Sequence, residues 1–427
     1  MRYPPFIEND FPFPPFHRVR LHFPHRALPD PVGELRRVLW PALAAAGVRA
    51  GDRVGIGVGS RGIRHLPSYV GEICRVLREQ GARPVILPAM GSHGGATAEG
   101  QTAVLRRLGV SEASCGAPVV SSLAVRQVGT VFGEVPLYYS EDALALDHAI
   151  ALNRIKPHSK FRGPAESGIL KMLCVGLGKH EGALAFHRFA MKHGFFPLLR
   201  EMGTALARAV NFRFGIAVVE DAYDEPARIE AVSAARLLED ETRLNALANE
   251  LIPRLPFRTL DALVIGRIGK DISGAGMDPN VTGRAFDLME SDFSDILRAT
   301  RVAVLRLSPA TGGNAIGLGN ADFITEAVFR AMDYEATVMN ALTSLSLHKA
   351  FIPVRLPNDR KAIQACFTTL GPVPPEAVRA VILRDTLHLG EWWASAALAP
   401  ELAALPQAEV LEAGPLPFDE AGSLLLD

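Results

Sequence analysis

A chain of 427 residues exceeds what one hydrophobic core usually fills, so two domains are expected. Its 48% apolar and 21% charged residues suit a globular protein, and a formal net charge of -1 speaks against electrostatic binding of nucleic acid or an anionic membrane. The four cysteines, Cys74, Cys115, Cys174 and Cys366, form no C-x-x-C pair, which argues against iron–sulfur, zinc-ribbon or disulfide frameworks and fits a reducing cytoplasm.

The chain opens with Met1-Arg-Tyr-Pro-Pro-Phe6 and continues through Phe11-Pro-Phe-Pro-Pro-Phe16. Proline at this density cannot form the apolar helix of a signal peptide, and no stretch reaches the roughly 18 apolar residues of a membrane span. A cytoplasmic protein is expected, with this segment lying across the surface of the first domain. Residues 52–58 then make a short buried strand that empties into a turn at Arg61. Apolar positions at Val70, Ile73 and Val76 predict a helix over 66–80, ended by Gly81. Residues 84–88 form the next strand and run into Gly91-Ser-His-Gly-Gly95; Thr97 caps a helix ending near Gly109.

Strand, crossover helix, strand is the pattern of a parallel α/β sheet, in which ligands bind beyond the carboxyl ends of the strands. A further strand over 147–153 leads into Ile155-Lys-Pro-His158, and a helix begins after Glu166 or Ser167. A strand at 214–219 and a helix at 237–251 precede Pro253-Arg-Leu-Pro256, a connection between domains. The second α/β unit has strands near 260–266, 302–307, 351–354 and 380–383, and a last helix opens at Gly390. The expected fold is therefore two α/β domains with mainly parallel sheets. Residues 1–255 form the first, 256–389 the second, and the 390–427 helix packs back on the first.

Chemistry-bearing residues gather at the strand ends. Gly57-Val-Gly-Ser-Arg-Gly62 matches G-x-G-x-x-G, but the next strand ends Leu87-Pro-Ala-Met-Gly91 without the acid that holds a ribose, so a tight turn with a functional Arg61 is preferred to a dinucleotide site. Arg61 by itself would more often be a solvated surface charge; among glycines its planar fork suits a carboxylate. His93, flanked by glycine, and His158, after Pro157, carry imidazoles that titrate near neutral pH, as acid–base groups should. Lys171 lies beside Leu170 and Met172-Leu-Cys-Val175, where burial favours a nucleophilic neutral amine, although snorkelling from an apolar face accounts for it as well. His187, in Ala185-Phe-His-Arg-Phe189, is by itself an ordinary histidine at the core edge. The chain has no H-E-x-x-H, G-x-S-x-G or Walker A sequence.

Taken together and in order, Ser60-Arg61, Gly91-Ser-His93, Pro157-His158, Ser167-Gly168…Lys171 and His187 resemble the lactate racemase family of nickel-pincer-nucleotide enzymes. The sixteen-residue step from Lys171 to His187, with Gly176 five after the lysine, is similar to that family's spacing. The resemblance implies that Lys171 joins covalently to a pyridinium mononucleotide whose sulfurs and ring carbon hold nickel, with Ser60 and Gly168 contacting the cofactor. It further implies His187 as the fourth nickel ligand, His93 and His158 as paired acid–base residues, Arg61 as the substrate-carboxylate grip, and Lys270 as a second-domain substrate lysine. The active site would lie in the interdomain cleft.

The implied activity is racemisation or epimerisation of a 2-hydroxy carboxylic acid by transient hydride transfer, after maturation by cofactor-biosynthesis proteins. Three departures stand out: Val58 replaces the family's Asp, Gly62 replaces its proline, and the His158-to-Lys171 step is about three residues longer. They favour a divergent branch acting on an acid other than lactate. Two readings remain beside it: a pyridine-nucleotide oxidoreductase, and a non-catalytic binding protein on the same fold.

Overall fold

The computed structural model describes residues 2–60, 62–285 and 293–426. In chain order its strands are β1 (Phe16–Leu21), β2 (Arg53–Val58), β3 (Arg83–Pro88), β4 (Val125–Val131), β5 (Val135–Ser140), β6 (His148–Arg154), β7 (Phe212–Glu220) and β8 (Pro226–Ser233), then β9 (Thr259–Ile268), β10 (Arg298–Leu307), β11 (Phe323–Thr325), β12 (Val354–Leu356), β13 (Ala380–Leu383), β14 (Glu391–Ser395) and β15 (Ala408–Gly414). The protein is α/β, with mostly parallel sheets. Among the described residues no helix is long and apolar enough to cross a membrane.

The chain divides into two compact units, Pro24–Ile252 and the combination of Met1–Phe23 with Pro253–Asp427. In the first, the sheet order is β3-β2-β6-β7-β8, parallel except for the antiparallel β7–β8 pair. β2 and β3 read as near-continuous apolar runs because both faces are covered. The intervening helix, Leu66–Glu79, buries Leu66, Tyr69, Val70, Ile73, Val76 and Leu77 along one stripe and stops before Gly81, whose φ is +77°. Thr97 caps the Ala98–Arg107 helix by accepting the Gly100 N–H at 3.0 Å. The chain leaves β2 for β3 on one side, while β6 and β7 lie on the other. The crevice between the loops after β2 and β6 is therefore the topological switch point of this sheet. The β4–β5 hairpin was not expected; its first strand is polar on both faces and carries no apolar alternation.

The second unit holds an eight-stranded sheet in the order β12-β11-β10-β9-β13-β14-β1-β15. Two expectations are corrected here. The N-terminal segment belongs to this unit and not to the first domain, because Phe16–Leu21 pairs antiparallel with both β14 and β15. The residues after Gly390 form a strand and not a helix: Trp392 and Trp393 point to opposite faces and join the cores on the two sides of the sheet. A bulky apolar pair followed by small residues fits either element, and pairing with β1 decides it. The first unit thus spans 24–252 instead of 1–255, and residues from 390 onward stay with the second.

Phe16 is fully buried, with its ring 6.5 Å from Phe367. Phe16→Ala is expected to cost about 3–5 kcal/mol of unfolding free energy, measured by urea titration. An unchanged midpoint would contradict the placement of β1 inside this sheet.

Candidate active site

Three loops leave the carboxyl edge of adjacent strands β3, β2 and β6, and they carry His93, Ser60 and His158 respectively. Ser60 Oγ and His93 Nδ1 are hydrogen-bonded, which joins two of these loops directly. The loop after β3 lies against the turn that follows Lys171. The Gly91 N–H donates to the Gly176 carbonyl at 3.4 Å, and a Cβ on Gly176 would fall 2.8 Å from the Ala89 carbonyl oxygen. Glycine at 176 is therefore a packing requirement of this contact. Lys179, wholly buried and with φ of +54°, donates from Nζ to the Pro88 carbonyl at 2.6 Å and so pins the same loop from below. Burial lowers its amine to about 8.

Lys171 ends one helical turn, Ile169–Lys171, and the chain widens into a π turn over Met172–Gly176. Such widened turns recur at functional sites because they re-aim side chains without breaking the helix. Lys171 Nζ is 2.5 Å from His158 Nε2. His158 Nδ1 accepts the Lys160 backbone N–H at 3.0 Å, so a neutral imidazole must carry its proton on Nε2. The Nε2–H then donates to Lys171, which accepts only as a neutral amine.

His187 lies on the Lys179–His193 helix, and its Nδ1 is buried with no hydrogen-bond partner among the described residues. Burial, then the nearby Lys171 and Lys160, lowers its imidazole to about 3, so it is neutral at physiological pH. Burial is the largest cause and remains when Lys171 is uncharged. A chain of rings connects it to His158: His158 to Phe161 at 4.7 Å, Phe161 to Phe195 at 5.1 Å, and Phe195 to Phe186 at 5.9 Å. Lys160 places its ammonium 5.3 Å from the Phe195 ring centre. Among the described residues no group of three or more His, Cys, Asp or Glu side chains is arranged to hold a metal ion.

Two buried acids brace this region. Glu166 accepts the His158 N–H at 2.6 Å and the Gly163 N–H at 3.3 Å, while the Lys156 N–H donates to the Ser167 carbonyl at 3.0 Å and closes the loop. Burial raises the Glu166 carboxyl. Glu241, on the Leu237–Leu251 helix, accepts the Leu170 N–H at 2.9 Å, and burial raises it to about 7. Gly168 admits that carboxylate, since a Cβ there would lie 2.7 Å from the Glu241 carboxyl carbon. The Asn153 side chain donates to the Gly168 carbonyl at 2.8 Å.

Of the residues expected from sequence, the structure brings together Ser60 with His93 and Lys171 with His158, and sets His187 near Lys171. Arg61 lies outside the described residues. Lys270 is in the other unit, where its Nζ donates to the Gly274 carbonyl at 3.0 Å and to Asn340 Oδ1 at 3.2 Å. Glu166, Lys179, Glu241 and Asn245 were missed. Glu241 and Asn245 lie on the same helical stripe as Leu237, Leu244, Ala248 and Leu251, so polar residues inside an apolar stripe were the available signal.

No family model matches the chain, and no curated protein matches it. Among solved structures it is similar to the lactate racemase apoprotein from Thermoanaerobacterium thermosaccharolyticum, at 13% identity and a TM-score of 0.44, over 79% of this chain and 94% of that one. At this identity and score the likeness carries no functional weight.

Glu241 makes the site's stability pH-dependent. Its carboxyl ionises near 4.5 when exposed and near 7 when folded, so between these values the native state binds more protons. The stabilisation is whole below pH 4.5 and is lost as pH rises through 7, at roughly 1.4 kcal/mol per pH unit at most. His187 acts in the opposite direction between pH 3 and 6.5. In Glu241→Gln the Glu241 contribution disappears, and urea titrations at a series of pH values are expected to show a smaller fall in stability from pH 4.5 to 7 than in the parent. Parallel curves would contradict the buried placement.

Proposed function

We propose that this protein is a racemase or epimerase of a 2-hydroxy carboxylic acid, and that Lys171 carries a nickel-pincer nucleotide. The observation that supports this most is the 2.5 Å approach of Lys171 Nζ to His158 Nε2 at the switch point of the sheet, with Nδ1 already occupied. An amine held neutral beside an imidazole is the form that takes up an acyl group.

The residues present fit the implied group. Lys171 supplies the amine for an amide link. His187 is buried and neutral, as a metal-ligating imidazole must be, and its Nδ1 is an orphaned buried atom. One histidine cannot hold a metal alone, so the remaining ligands would come from the nucleotide. Val58, standing where the family has Asp, is buried in the apolar core. When bound, the group supplies a reversible hydride acceptor, which removes the need to abstract an unacidic Cα proton.

The chain's own residues do the rest. Once Lys171 is an amide its nitrogen is no longer basic, and Nε2 of His158 becomes available to the substrate hydroxyl. With Nδ1 accepting the Lys160 N–H, His158 as found presents Nε2–H, a hydrogen-bond donor and not a base. Taking a proton there requires that bond to yield. His93 differs, because the Ser60 hydroxyl bonded to its Nδ1 can donate or accept, and so permits either tautomer. Each enantiomer presents its hydroxyl to a different side, which is why two histidines, His93 and His158, are proposed as the acid–base pair. Arg61 is the proposed grip for the carboxylate, by paired hydrogen bonds.

The protein matured with cofactor-biosynthesis proteins is expected to retain nickel and to scramble a chiral 2-hydroxy acid, read by chiral chromatography across a substrate panel. Lys171→Ala is expected to lose both. His93→Ala and His158→Ala should each lower kcat by about 100-fold or more while keeping nickel. Undiminished inversion in Lys171→Ala would sink the reading.

A further inference from the structure

We propose that Glu241 and Asn245 are positioning residues for this site, hanging the His158 loop and the Lys171 turn from one turn of the Leu237–Leu251 helix. The inference rests on His158 and Lys171 being the functional pair. The two side chains are four residues apart and share one helix face, with Cβ atoms about 6 Å apart. Both are buried. Glu241 Oε2 accepts the Leu170 N–H at 2.9 Å, one residue before Lys171. Asn245 Nδ2 donates to the Gly163 carbonyl at 3.1 Å, and the Gly163 N–H donates at 3.3 Å to Glu166, the same carboxylate that accepts the His158 N–H. One helical turn therefore fixes both members of the 2.5 Å pair.

Ordinary packing does not explain these residues. The neighbouring stripe is Leu244, Ala248 and Leu251, and a leucine at 241 would fill the space without the cost of burying a carboxyl. Glu241 Oε1 and Asn245 Oδ1 are buried without a hydrogen-bond partner among the described residues, so these side chains are not present to complete one another's bonding. What each does satisfy is backbone on the segments carrying Lys171 and His158. Alignment of reacting groups is where small displacements cost most.

The test uses the full-length unmodified chain with ¹⁵N-labelled histidine. In the parent, the His158 ring nitrogens are expected to show Nδ1 as an acceptor and Nε2 hydrogen-bonded. Glu241→Gln, which keeps an acceptor oxygen, should preserve those signals. Glu241→Ala and Asn245→Ala should move them toward those of a solvated imidazole. In the matured enzyme the same two variants should lose roughly ten- to a hundredfold in kcat with KM nearly unchanged. If Glu241→Ala does not fold, Asn245→Ala decides, since it removes no charge from the core. Parent-like His158 signals in a folded Asn245→Ala or Glu241→Ala variant would overturn the proposal. The ring-nitrogen measurement needs no cofactor, so a chain without racemase activity would fail the function above and leave this result standing.

Discussion

Parallel strands impose a direction. Because β3, β2 and β6 run the same way, their loops all leave the sheet at one edge, and the reversal of strand order between β2 and β6 opens a crevice there. Every other feature of the site depends on that edge. The close approach of Gly91 to Gly176 brings the His93 loop against the Lys171 turn. The buried Lys179 amine holds the base of that loop, and the Ser60–His93 bond ties it to the loop after β2. A polar site then forms on an apolar scaffold, with its protonation states set by burial and by which ring nitrogens the backbone occupies.

Much of this edge was legible in the sequence. The runs at β2 and β3 are apolar, β-rich and punctuated by glycine, and the Leu66–Glu79 stripe is strongly periodic. Ser60, His93 and His158 could be assigned to strand ends for that reason alone, and they occur there. The edges of the second unit's sheet were less legible. Phe16-His-Arg-Val-Arg-Leu21 follows a proline-rich segment, is short, and has a register shift between Arg18 and Val19 that sends Phe16 into one core and Val19 and Leu21 into another. Its partners lie more than 370 residues away in sequence, a distance at which local pattern says nothing about pairing.

The buried polar residues were the least legible. Glu239-Asp-Glu241 looks like a solvated acidic face, yet Glu241 turns inward while its neighbours do not. Lys179 likewise follows Gly178 at the start of the Lys179–His193 helix, yet its side chain is fully buried. Such residues contradict a hydrophobic pattern locally because their partners are backbone groups from distant segments. Tertiary context decides them. Their presence next to the candidate site is where sequence-level consistency is expected to break.

The proposed activity depends on one covalent bond to one amine. Peptide mapping by mass spectrometry, on protein co-produced with the cofactor's biosynthetic partners, would show directly which lysine is altered. The neutral-amine geometry at His158 predicts an adduct on the peptide containing Lys171 and none on those containing Lys160 or Lys179. An adduct on Lys179, or an unaltered Lys171 in nickel-containing protein, would contradict it.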